Sequence, residues 1–141
     1  MLEFNRLGDV PPEVDRLLEG HVTVGRWSLG QILDHLGTAL RLSMIHRPAA
    51  DPDPRARVLR RRFFREPRFP EGLEAPHPRL LPAEDADPRA ASEALREAIA
   101  RWESAPGPFP DHPVLGALTK DEWTRFHCMH CAHHLGFAIP A

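Results

Sequence analysis

The chain has 141 residues, 42% of them hydrophobic and 27% charged, with 18 basic against 20 acidic side chains and a formal charge of −2. That length suffices for the core of a single domain spanning residues 1–141, and the charge balance offers no footprint for nucleic acid. No run reaches the ~18 apolar residues a membrane helix needs, and the N-terminus lacks a basic start followed by an apolar stretch, so a cytoplasmic location is expected, with no membrane partner. Two cysteines are too few for a disulfide scaffold.

Val10 to Gly20 reads as a first helix, with Asp9 placed to cap it, prolines in its first turn and Gly20 at its end. The second helix opens on Ser28 and Gln31, which have capping-box spacing. Leu29, Ile32, Leu33, Leu36, Leu40 and Met44 then recur at helical intervals until Pro48 stops the run. From Pro48 to Pro88, both included, fall nine of the sixteen prolines, which excludes a long regular element. A short helix around Ala56–Phe64 is all this stretch admits. Its RRRFFR run, Arg60–Arg65, reads as a solvated arginine face whose two phenylalanines fasten a crossover to the core.

Asp87 followed by Pro88 has the form of an N-cap and first helical residue. The stripe Ala91, Ala94, Leu95, Ala98, Ile99, Trp102 predicts a third long helix. Thr119 and Glu122 form a second capping box and open the fourth. No segment shows the alternation of a half-buried strand. The expected fold is therefore all-α, a four-helix bundle with a long proline-rich crossover between the second and third helices.

On a wheel of the last helix, Trp123, Phe126, His127, His130, His133, His134 and Phe137 fall within an arc of roughly 120°, centred on His130. The histidines thus share the face that the aromatics drive inward. Burying several imidazoles is costly unless each finds a partner, and one metal ion can satisfy two or three. His130 and His134, one turn apart, can address one ion. His35, midway along the second helix, is the candidate third ligand, with Asp34 as a neighbouring carboxylate. Cys128 and Cys131 form a C-x-x-C, but inside a helix, where they read as packing residues. His112 lies in a DHPVLG segment before the last helix. It reads as a turn residue first, with Asp111 or His112 as a substrate contact second; Trp27 and Trp123 read as core anchors or pocket walls.

Trp27-Ser28-Leu29-Gly30-Gln31-Ile32-Leu33-Asp34-His35-Leu36 resembles the second-helix motif of the DinB-like superfamily, and His130-x-x-x-His134 resembles its final-helix ligand pair. His112-Pro113-Val114-Leu115-Gly116, Leu118-Thr119, Trp123 and His133-His134-Leu135 resemble an uncharacterised, domain-of-unknown-function branch of it. The resemblance implies up-down-down-up connectivity and one divalent ion held by His35, His130 and His134. It also implies zinc or nickel, or else iron or manganese, as the metal, together with frequent dimerisation and thiol-dependent transferase chemistry in some relatives.

Three protein ligands leave a coordination position open, which suits a reactive site. The expected function is a metal-dependent enzyme of thiol-transferase or hydrolase type. Its metal activates a water or a low-molecular-weight thiol toward a small-molecule substrate, with His127 or His133 as base or orienting group. The competing reading is a non-catalytic, metal-binding or stress-associated helical bundle.

Overall fold

The computed structural model describes residues 2–48, 51, 53–66, 68–70 and 77–141. Among them are five α-helices and one two-stranded ribbon. Helix α1 (Val10–Glu19) is entered through a 3-10 turn, Leu7–Asp9, and Asp9 makes no side-chain cap. The turn supplies the entry instead, and the prolines at positions 11 and 12 have no N–H to satisfy. Gly20 ends the helix, and β1 (His21–Thr23) follows.

Helix α2 (Leu29–Ile45) begins with the full Ser28–Gln31 capping box. Helix α3 (Ala56–Arg65) lies in the crossover, which closes with a second 3-10 turn, Pro78–Leu80. Helix α4 (Pro88–Ser104) starts where the Asp87 carboxylate accepts from Ala90 N–H, and α5 (Lys120–Leu135) opens on the Thr119–Glu122 box. Strand β2 (Ala138–Pro140) pairs antiparallel with β1, Val22 facing Ile139.

The ribbon is the departure from the expected all-α set. Three-residue strands are too short for a two-residue period to register. The fifth helix is the short piece the crossover was expected to allow, one residue longer at Arg65. Phe63 is buried there and stacks on Phe126 of α5 (centroids 5.4 Å), so α3 is fastened through an aromatic ring, while Arg61 and Arg62 stay exposed.

Helix α2 packs most extensively on α4, and it also meets α5; α1 packs on α4. Close approach of α2 to the start of α4 depends on Gly30, where a Cβ would lie 2.0 Å from the carbonyl oxygen of Ala86. Trp102 of α4 is 1% exposed, and its indole N–H donates to Thr124 Oγ1 of α5 (2.9 Å). The core runs between these helices through Leu33, Leu36, Leu40, Leu95 and Leu135. No described helix is long and apolar enough to cross a membrane.

Candidate metal centre

The two capping boxes fix the starts of α2 and α5, and burial of each helix's apolar face sets its rotation. That rotation brings His35 of α2 against His130 and His134 of α5. The three offer ring nitrogens that all lie within 4.8 Å of one another. His35 Nε2 and His130 Nε2 are 3.0 Å apart, and the ring centroids of His35 and His134 are 4.5 Å apart. Two imidazole nitrogens on one tetrahedral zinc, each about 2.1 Å from it, would sit about 3.4 Å apart. The donor set therefore fits a single ion with small adjustments.

His35 is held in one tautomer. Its Nδ1 lies 2.7 Å from the carbonyl oxygen of Leu80 in the crossover turn. A carbonyl only accepts, so Nδ1 carries the hydrogen and Nε2 presents its lone pair toward His130. A backbone carbonyl on the remote nitrogen is a recurrent way of orienting a ligating histidine. Asp34, the carboxylate neighbouring His35 in sequence, acts on it through its charge, while the crossover's main chain holds the ring.

Burial lowers the pKa of all three imidazoles: His35 and His130 below the ordinary 6.5, and His134 to about 3, with the neighbouring histidines adding to the effect on His130 and His134. The cluster is neutral near pH 7, as ligands must be. Trp27 stacks on His134 (5.4 Å, 22°) and leans on His35 (4.9 Å), so this tryptophan walls the site. Phe69 of the crossover covers His130 (4.9 Å) and His133 (5.3 Å). The three histidines line a cavity of about 560 Å³ that continues along α5 to Phe126, Trp123 and His112.

The other two sequence candidates part company. His133 is half-buried next to His134 (4.9 Å) and lines the cavity. His127 is 1% exposed and turned toward α2. Ser43 Oγ–H donates to Leu40 O (2.7 Å), so its oxygen accepts from His127 Nε2–H (2.9 Å). His127 also stacks on Trp123 (5.4 Å, 18°). Ser43→Ala leaves that N–H buried without an acceptor, at a cost of about 1–3 kcal/mol. The expected reading is a lower urea midpoint at unchanged m-value; an unchanged midpoint contradicts the bond.

Burial pushes His127 down to about 3 and His112 to about 4. In the unfolded chain both return to about 6.5, so the unfolded state binds protons first as pH falls. Stability from these buried neutral rings is complete above about pH 6.5 and is lost as pH falls toward their folded values. For His127 alone the loss at pH 5 is about 2 kcal/mol. Urea melts of chelator-treated protein at pH 7.5 and 5.0 read this loss together with those of His35, His112, His130 and His134, so the drop should exceed the His127 figure; equal stabilities would refute the burial of neutral rings.

Leu80, Phe69 and Ser43 were not singled out from sequence. The Leu80 contribution is a main-chain oxygen, which leaves no side-chain signature, and Phe69 lies in a proline-rich run without periodicity. Ser43 adjoins Met44 of the apolar stripe and had a helical signal, though nothing marked it as an acceptor. Cys128 and Cys131 are both buried free thiols in the core, and burial raises both pKa values, that of Cys128 to about 11.

A family model described as a protein of unknown function (DUF1569) matches residues 1–141. No curated protein and no solved structure matches the chain.

Proposed function

The chain belongs to the DUF1569 family, and from that premise we propose that it binds one divalent transition ion through His35, His130 and His134 and is a metal-dependent enzyme. The observation that carries this reading is the His35–Leu80 bond, which commits Nδ1 and aims Nε2 at the two α5 histidines. We further read α1, α2, α4 and α5 as the members of a DinB-like bundle of up-down-down-up connectivity, with α3 in the crossover.

Three nitrogen donors leave a coordination position for a ligand, and the histidines border a cavity large enough for a small molecule. A bound ion supplies Lewis-acid activation of a water or a small thiol, which suits a thiol-dependent transferase or a hydrolase. Zinc and nickel match an all-imidazole set well. The protein's own groups supply the rest. Leu80 and Trp27 orient the donors, and Phe69 and Phe63 exclude water from one wall. His133 is the imidazole placed to exchange a proton with a ligand in the cavity, and His127 positions α5 through Ser43.

Elemental analysis after mild purification is expected to find about one ion per chain. Thiol or ester consumption should require that ion. A chain that retains no transition metal after loading and dialysis overturns the reading. A metal-loaded chain without turnover, whose melting point collapses on chelation, replaces the enzyme with a metal-organised bundle.

A further inference from the structure

The cavity has a second polar end, about two helical turns from His130 along α5, because Trp123 precedes it by seven residues at 1.5 Å each. His112 lies there, with its ring 5.3 Å from Trp123 and 4.8 Å from Phe126. Its backbone is clasped to Gly116 by two hydrogen bonds, His112 N–H to Gly116 O (2.8 Å) and Gly116 N–H to His112 O (3.0 Å). Gly116 makes this possible at φ +74°, a region side chains disfavour. Inside the turn, His112 Nδ1 accepts from the N–H groups of both Val114 and Leu115 (3.0 Å each).

Accepting at Nδ1 forces the hydrogen of the neutral ring onto Nε2. His112 is therefore a fixed donor. Among the described residues no acceptor meets Nε2, and the only buried side-chain nitrogen without a partner there is Trp123 Nε1, so Nε2 reaches open space. The space His112 lines is the cavity. One nitrogen builds the turn and the other is left for a ligand.

We propose that His112 is a specificity-determining donor: its Nε2–H binds a carboxylate or carbonyl oxygen of a small molecule whose body crosses Phe126 and whose other end sits at His35, His130 and His134. The Phe126 ring spans the interval, 4.8 Å from His112 and 5.7 Å from His130. The ligand class is thus an amphipathic molecule with a metal-binding group such as a thiol at one end, an apolar middle and an acceptor oxygen at the other. Of the charged residues lining the cavity, Arg62 favours an anionic acceptor, whereas Asp111 and Glu66 favour a neutral one. The metal end of this proposal rests on the three-histidine reading above; the His112 end does not.

The test uses cobalt(II)-loaded protein titrated calorimetrically with hexanethiol, 6-mercaptohexanoate and 6-mercaptohexanamide, the cobalt spectrum reporting thiolate at the histidines. At least one acceptor-bearing thiol is expected to bind about tenfold more tightly than hexanethiol. His112→Asn keeps an acceptor oxygen for Val114 and Leu115, and so the turn, but has nothing in place of Nε2. It is expected to melt near the wild-type temperature, lose the tenfold gain and leave the cobalt spectrum unchanged. Equal binding of the three thiols to wild type, or a gain retained in His112→Asn, overturns the proposal. If His112→Asn does not fold, the wild-type comparison decides alone. If cobalt does not bind, the metal reading fails instead. Hexanoate on metal-free protein then tests His112: a rise in melting temperature that His112→Asn abolishes supports it, and no rise in wild type overturns it.

Discussion

Replacing His35 by alanine is expected to weaken zinc binding by more than about 100-fold, measured by competition with a chromophoric chelator. Loss of a mere orienting partner costs 10–100-fold in metal affinity, and in the proposed site His35 is itself a donor, the one of the three carried by α2. The remaining pair, His130 and His134, lies on one helix and would bind like a surface i, i+4 pair. The fold should survive, because the truncation removes one ring from the cavity wall while the α2–α4 packing through Leu33, Leu36 and Leu95 stays. His134→Ala should match it. A His35→Ala chain that binds zinc as tightly as wild type removes His35 from the site.

The second large effect concerns Gly30. Helix propensity alone says that Gly30→Ala stabilises α2 by about 1 kcal/mol. The structure reverses the sign: a methyl there would stand 2.0 Å from Ala86 O and 3.1 Å from Pro88 N, both main-chain atoms that cannot swing aside. Overpacking of this kind costs about 3 kcal/mol, so the melting temperature should fall by about 10 °C. Gly37, about two turns further along the helix, is the internal control. A Cβ there meets Leu95 Cα at 3.5 Å and the end of the Arg41 side chain at 3.3 Å. Gly37→Ala is expected to be neutral or to stabilise. If the two substitutions behave alike, α2 and α4 are not in the contact described.

Much of the candidate site was legible because it is written in side chains at fixed helical intervals. Two capping boxes mark where α2 and α5 begin, and the part of the arc from Trp123 to His130 points inward as expected, whereas Phe137 lies beyond the helix end at Leu135 and is 38% exposed. The same wheel placed His127 and His133 on an equal footing with the ligand candidates. Only the position of α2 separates them, since Ser43 lies within reach of His127 and His35 within reach of His130. The wheel also assumed one buried face. Yet Cys128, on the far side of the wheel from His130, and Cys131, at the flank of the arc, are as buried as the histidines, because α5 is also touched by the 3-10 turn Leu7–Asp9. Beyond the short helix at Ala56–Arg65, the crossover was legible only as an absence of regularity. Its contributions, a carbonyl from Leu80 and a ring from Phe69, depend on where the chain comes back, and short-range pattern carries no information about that. The ribbon was missed for the opposite reason: its strands are too brief to have a pattern.

The two buried thiols of α5 make the protein its own stopwatch. A maleimide reagent in excess can alkylate Cys131 only in molecules whose last helix has come away from its neighbours. The rate of labelling under native conditions therefore reads how often that happens, without any engineered probe. Because two of the three clustered histidines lie on the same helix, saturating zinc should slow that labelling, and a chelator should restore it.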